Sequence, residues 1–208
     1  MKSPRKTVFY DDLTFEVFEE VYEPAEDSFL IADAVKEVVK LEDDVLDAGT
    51  GCGLLAVVAA KKAHKVVATD LNPHAVECAR LNARKNGLAG NVEVRLGDLF
   101  QPVLNTEKFD LILFNAPYLP SAPDDQKTWI ERAWAGGPTG RLLIDRFIVE
   151  APLQLKRNGK MLLAQSSLAD IDKTLRKLSE KRLVARIVAE KKEPFEKIVV
   201  IQASDLSR

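Results

Sequence analysis

Apolar positions along this chain alternate between a period of two and a period of three to four, and the switching lays out its elements. From Thr7 to Val17, TVFYDDLTFEV holds two short β-prone runs around Asp11-Asp12, which predicts a hairpin or edge ribbon. Glu26-Asp27-Ser28 offers N-capping oxygens for a helix through about Lys40, with Phe29, Ala32, Val35 and Val39 on one face. Beyond it the pattern alternates. DVLDA (44–48) is a short apolar strand and Leu54 to Lys62 a helix; KVVATD (65–70) is a strand. Pro73 to Asn86 is a helix, with proline in its first turn and Gly87 just past its end. VEVRL (92–96) and FDLILFN (109–115) are strands, the second so uniformly apolar that it belongs mid-sheet. Arg141 to Leu155 has helical period, Lys160 to Gln165 reads as a strand and Leu168 to Glu180 as a helix. The runs 183–190 and 196–202 read as strands joined at Glu193-Pro194. Strand–helix alternation of this kind gives a doubly wound, mostly parallel, Rossmann-like α/β sheet. Two closing strands with no helix between them put one antiparallel strand in it. With no repeat, low-complexity tract or linker, residues 1–208 read as a single domain, with an N-terminal extension, 1–26, packed on it.

Composition narrows the class. At 208 residues, 46% hydrophobic and 30% charged, the chain is globular in character. Its formal charge of −2 offers no basic excess for nucleic acid, although a local basic patch stays open. The longest apolar run, Leu54 to Ala60, is too short to span a bilayer. MKSPRKTVFYDD has no apolar leader core, so a cytoplasmic enzyme is the expectation. Two cysteines, Cys52 and Cys78, and two histidines, His64 and His74, make neither a disulfide scaffold nor a zinc site. The cysteines read as small core residues and the histidines as solvated.

Three glycines fall within five residues, Gly49-Thr50-Gly51-Cys52-Gly53, directly after the first sheet strand and before a helix. Glycine here permits positive φ, and the backbone N–H groups can face a ligand at the helix N-terminus. Leu54-Leu55 stand where a triphosphate loop needs Lys and Ser or Thr. A dinucleotide fingerprint does fit Gly51, Gly53 and Ala56, so the glycines alone do not choose. Asp47 does: a carboxylate before the loop repels a pyrophosphate but favours an α-ammonium, such as that of S-adenosylmethionine. Asp70, ending the next strand, suits two ribose hydroxyls, and Asp98, after the third, suits an exocyclic adenine amine.

Asn115-Ala116-Pro117-Tyr118 ends the most apolar strand, and its parts suit the holding of a planar NH₂ group. The Asn115 side-chain oxygen and the Ala116 carbonyl accept, while Tyr118 offers a flat face. Accepting both N–H hydrogens favours a more tetrahedral nitrogen whose lone pair points at the methyl donor. Positioning and electrostatics then supply most of the acceleration.

This tetrapeptide resembles the Asn-Pro-Pro-Tyr motif of amino-methyltransferases acting on glutamine amides or adenine. Val21-Tyr22-Glu23-Pro24-Ala25-Glu26-Asp27, and Trp134-Ala135-Gly136-Gly137-Pro138-Thr139-Gly140-Arg141 with Asp145-Arg146-Phe147, resemble the archaeal and eukaryotic branch of the HemK-related release-factor glutamine methyltransferases. The resemblance spans about 20–165. It implies a seven-stranded methyltransferase fold, S-adenosylmethionine as donor with S-adenosylhomocysteine as product, and methylation of the glutamine in the Gly-Gly-Gln loop of a class I release factor. It also implies a heterodimer with a small zinc-binding activator protein. The cofactor-binding set is then Ser28, Asp47, Gly49, Gly51, Gly53, Asp70, Asp98 and Asn115, the catalytic set Asn115, Ala116, Pro117 and Tyr118, with no metal ligand. Ala116 departs from the family proline: it keeps the carbonyl, loosens the restriction on Asn115 and adds an N–H that needs a partner. Adenine in nucleic acid, another protein side chain, or a non-catalytic cofactor-binding subunit remain the alternatives.

Two further segments carry expectations. The stretch 119–140, with Trp129, Trp134, Pro120, Pro123 and Pro138, lacks periodicity and reads as a substrate-binding loop. In the implied fold, Val92 to Leu96 is an outermost strand guarded only by Glu93 and Arg95, and the small residues Ala75, Val76 and Ala79 of the preceding helix are expected to let a partner chain approach.

Overall fold

The computed structural model describes residues 6–205. Residues 1–5 of the N-terminal extension lie outside that range. Strands β1 (Lys6–Tyr10) and β2 (Leu13–Val17) form the antiparallel ribbon, turning at Asp11 with φ +50°. The ribbon is tied to α3 (Pro73–Lys85): Glu16 N–H donates to Asn82 Oδ1 at 2.8 Å, and Thr14 N–H to Asn86 Oδ1 at 3.0 Å.

Seven strands make the main sheet: β3 (Asp44–Ala48), β4 (Lys65–Asp70), β5 (Val92–Leu96), β6 (Phe109–Asn115), β7 (Leu155–Ser166), β8 (Leu183–Lys192) and β9 (Lys197–Asp205). Their order is β5-β4-β3-β6-β7-β9-β8, and β9 runs antiparallel to both its neighbours. The chain reverses its direction of winding between β3 and β6, which opens a crevice at their carboxyl ends. In β6, Leu111 and Leu113 join the core beneath α1 (Glu26–Val38) and α2 (Leu54–Ala60), while Ile112 and Phe114 join the opposite core under α5 (Leu142–Glu150) and α6 (Ile171–Glu180). Burial on both faces is why 111–114, at its centre, is an unbroken apolar run.

Several boundaries differ from the sequence expectation. Helix α1 takes Ala25 as its N-cap with no side-chain cap; Glu26 and Asp27 lie inside the first turn, where carboxylates favour the helix dipole. Helix α5 stops at Glu150, and a 3-10 turn over Ala151–Gln154 leads into a β7 that is longer than expected at both ends. Helix α6 begins after Asp170, which sits at φ +56° and accepts the Lys173 N–H. The stretch expected to be an aperiodic loop contains α4 (Trp129–Trp134), closed by a reciprocal capping box between Thr128 and Glu131.

Strand β5 is outermost, as expected, and Leu96 is 57% exposed. The small residues of α3 do not serve as an approach surface, however. Ala75, Val76 and Ala79 are buried in the core, because α3 packs its small face down on the glycine loop.

Candidate active site

The glycine loop is held from below and from the side. Gly49, Gly51 and Gly53 all take left-handed φ, at +69°, +58° and +89°. Asp47, 1% exposed, accepts the Thr50 hydroxyl at 2.6 Å and the Ala56 N–H at 3.1 Å through one oxygen. Its second oxygen is buried without a partner among the described residues, and burial pushes the carboxyl up to about 7. Asp70 accepts the Gly51 N–H and the Asn72 N–H, each at 2.8 Å, one on each oxygen. Burial raises this carboxyl as well, with both N–H bonds opposing the rise. A β-carbon on Gly53 would stand 3.0 Å from Ala79, so this glycine permits helix packing, whereas one on Gly51 would meet nothing within 4 Å.

A cavity of about 360 Å³ opens over this loop at the sheet's switch point. Of the residues expected from sequence, Ser28, Gly49, Gly51, Asp70, Asp98 and the whole 115–118 tetrapeptide line it. Asp47 and Gly53 lie beneath the wall instead, and act on the crevice through the loop they shape. Asp98 is engaged: its carboxylate pairs with Arg146 at 2.9 Å, and both side chains stay more than one-third exposed. Among the described residues no cluster is fit to hold a metal ion.

The tetrapeptide is fixed from both sides. The Asn115 amide donates to Asp27 Oδ2 at 3.0 Å and to Ser28 Oγ at 3.2 Å, and its Oδ1 is buried with no partner among the described residues. The N–H that Ala116 adds reaches the Ala164 carbonyl on β7 at 3.4 Å. Tyr118 is buried, and burial followed by the nearby Asp27 charge holds its phenol above the ordinary range. Tyr22 is held up in the same way. The glycine-rich stretch after α4 straps down the far end: Leu119 N–H donates to the Trp134 carbonyl at 3.1 Å, and Gly136 N–H to the Leu119 carbonyl at 2.8 Å. Arg141, 3% exposed, anchors that strap, donating to Asp170 O at 2.8 Å, Thr174 Oγ1 at 3.0 Å and Asp145 Oδ1 at 2.7 Å.

Sequence reasoning missed Tyr22, Asp27 and Arg146 as lining residues, although all three sit in the two signature segments. Trp129 and Trp134 line the cavity from α4, with the Arg132 guanidinium 4.9 Å from the Trp129 ring. Cys52 and Cys78 are buried free thiols, as expected; burial pushes Cys78 up to about 11. His64 is exposed and faces Asp44 at 3.0 Å, whereas His74 is half-buried at the start of α3.

A seven-stranded sheet of this order, with a glycine loop at its switch point and a carboxylate ending the next strand, has the architecture of a Rossmann-like methyltransferase. The Methyltransferase small domain family matches residues 26–193. The Methanocaldococcus jannaschii protein named "Putative protein N5-glutamine methyltransferase MJ0928" is 44% identical over 88% of this chain and 91% of its own length. Human "Methyltransferase HEMK2" is 35% identical over 76% of this chain and 77% of its own. Among solved structures, E. cuniculi Mtq2 superposes with a TM-score of 0.72 at 27% identity, over 89% of this chain and 99% of that one. It was solved with Trm112, as a complex responsible for methylation of the eRF1 translation termination factor. The chain belongs to the methyltransferase small domain family and, within it, to the HemK-related protein-glutamine N5-methyltransferases of the archaeal and eukaryotic branch.

Proposed function

We propose that this chain, acting as one methyltransferase domain, transfers a methyl group from S-adenosylmethionine to the side-chain amide of the glutamine in the Gly-Gly-Gln loop of a class I release factor. The observation that carries this reading is the buried Asn115 Oδ1, an acceptor without a partner at the end of β6, beside the cavity. A buried, unpaired acceptor is unfavourable by about 1–3 kcal/mol until a donor arrives, and an amide N–H is such a donor.

The crevice fits the cofactor. Asp70 spends one N–H bond on each oxygen and keeps lone pairs for two ribose hydroxyls, while the open space over Gly51 lets a ligand lie against the backbone. Ser28, Gly49 and Asp98 complete the lining, and Asp98 shares its charge with Arg146. Asp47 and Gly53 contribute by holding the loop's shape. When bound, S-adenosylmethionine supplies an electrophilic methyl group on a sulfonium.

The chain's own residues prepare the nucleophile. Asn115 Oδ1 and the Ala116 carbonyl accept the two amide hydrogens, Pro117 keeps that carbonyl in extended backbone, and the Tyr118 ring flanks the amide plane. Accepting both hydrogens draws the nitrogen lone pair out of conjugation, so no base removes a proton before attack. The nitrogen takes the methyl as the carbon–sulfonium bond breaks, with S-adenosylhomocysteine as the leaving group, and then releases one of its two hydrogens to solvent as a proton. Phe114, Leu99 and the two tryptophans of α4 give the cavity apolar walls that exclude water.

A small zinc-binding protein completes the enzyme in this reading, adding a strand to the open edge of β5. The exposed Leu96 at that edge supports the assignment. The test is transfer of labelled methyl from S-adenosylmethionine to purified release factor by the chain together with its zinc-binding partner, run beside a Gln→Glu release factor and duplex DNA. Label on the first alone is expected. Equal label on the glutamate variant, or label on DNA only, would reject the substrate.

A further inference from the structure

The two ends of the Asn115 carboxamide are nearly the same size, so sterics alone do not decide which faces the substrate. The choice matters, because a flipped amide presents a donor where the reaction needs an acceptor. The surroundings decide it. Asp27, 5% exposed and seated in the first turn of α1, places Oδ2 3.0 Å from Asn115 Nδ2. Flipping Asn115 would set its carbonyl oxygen against that carboxylate oxygen, two acceptors at hydrogen-bond distance. Ser28 adds a second lock: its hydroxyl donates to Asp27 Oδ1 at 3.2 Å and turns a lone pair toward Asn115 Nδ2, also at 3.2 Å.

We infer that Asp27 is a positioning residue for methyl transfer, locking the Asn115 amide in the one orientation that leaves Oδ1 free to accept. This rests on the proposed reading that an amide nitrogen is methylated. Asp27 works through Asn115, across 88 positions of sequence, and the contact holds the first turn of α1 against the end of β6.

Two substitutions and one measurement on the unaltered chain test it. Asp27→Leu removes the acceptor while keeping bulk, so kcat is expected to fall by about 10²-fold with KM and cofactor affinity held, a larger loss than the accompanying fall in Tm from the first turn of α1 accounts for. Asp27→Asn retains an oxygen for Asn115 Nδ2, and is expected to stay within about tenfold of the unaltered enzyme. Unchanged kcat in Asp27→Leu, or a fall in kcat that merely tracks lost Tm or lost cofactor binding, would overturn the inference. Side-chain amide NMR of the unaltered full-length chain gives an answer even where Asp27→Leu does not fold. The Asn115 NH₂ protons should show NOEs to the β-protons of Asp27 and Ser28 both without and with a Gly-Gly-Gln peptide, since they face those residues. NH₂ protons with NOEs to the peptide and none to Asp27 or Ser28 would place the NH₂ on the substrate side and overturn it. Absence of methylation by the unaltered enzyme with its zinc-binding partner present would instead reject the glutamine reading, and the NMR comparison would still decide the orientation set by Asp27.

Discussion

Gly140 lies against the main chain of Tyr118 so closely that a β-carbon there would stand 2.1 Å from the Tyr118 carbonyl oxygen. Gly140 also has φ +69°, and a β-carbon on Gly136 would stand 2.6 Å from Gly140 Cα. The backbone at the end of the 115–118 tetrapeptide is thus seated on Gly140, which in turn packs on Gly136, an approach that only hydrogen-sized side chains permit.

Gly140→Ala is therefore expected to destabilise the fold by several kcal/mol, on the order of other overpacked, strained sites, and to displace Tyr118. Gly51→Ala makes the contrast. It has the same left-handed strain, about 1–2 kcal/mol, but its β-carbon meets open space, so Tm falls little while cofactor affinity is lost. Thermal melts paired with calorimetry separate the two. Equal losses of Tm in both would contradict the assignment of Gly51 to the cofactor face.

Asp70→Ala is expected to weaken S-adenosylmethionine binding by about 1.5–3 kcal/mol, the scale for losing a charged acceptor. The same change frees the Gly51 and Asn72 N–H groups, so a modest fall in Tm accompanies it. Calorimetry giving an unchanged Kd would remove Asp70 from the site.

Much of this arrangement is legible from sequence, because it depends on local signals. Strand–helix alternation, the glycine spacing, and a carboxylate at the end of β4 are each written within a few residues. What is hidden depends on distant partners or on short-range strain. Nothing near Asp27 says that its carboxylate meets Asn115, and nothing near Asp98 says that Arg146 neutralises it. The burial of Ala75, Val76 and Ala79 is equally a tertiary fact, since small residues suit a core contact as well as a docking face. Helix α4 is a different case. Its Thr128-x-x-Glu131 capping signature stands in the sequence, but six residues are too few for a period to appear.

Asp47 makes pH a handle on stability. Burial pushes its carboxyl up to about 7, so the folded protein holds this proton more tightly than the unfolded chain. Its contribution is most favourable in acid, and is lost as pH rises through about 7. Asp47→Asn removes the charge and keeps an acceptor for Thr50 and Ala56. The variant should match the unaltered protein in Tm near pH 4, by roughly its ordinary pKa, and gain on it steadily to above about 7. A Tm difference that is flat across that window would show that Asp47 does not titrate there.

Partner binding at β5 predicts a backbone signature. Adding a strand converts solvent-facing N–H groups of Val92–Leu96 into ladder bonds, so their hydrogen exchange should slow when the zinc-binding protein is added. The paired edge, and not α3, should carry the protection. A complex that leaves β5 exchange unchanged would move the interface elsewhere.

Asn115→Ala is the sharpest test of the chemistry, because it removes the acceptor and leaves the cofactor wall in place. Cofactor affinity should hold, while turnover drops by a factor on the order of 10²–10³. The direct measurement is tandem mass spectrometry of release factor after incubation with the unaltered chain, its partner and S-adenosylmethionine, with Asn115→Ala run in parallel. One methyl group on the side-chain nitrogen of the Gly-Gly-Gln glutamine, nearly absent with the variant, is the result expected. Methyl on another residue, or equal methylation by Asn115→Ala, would contradict the account.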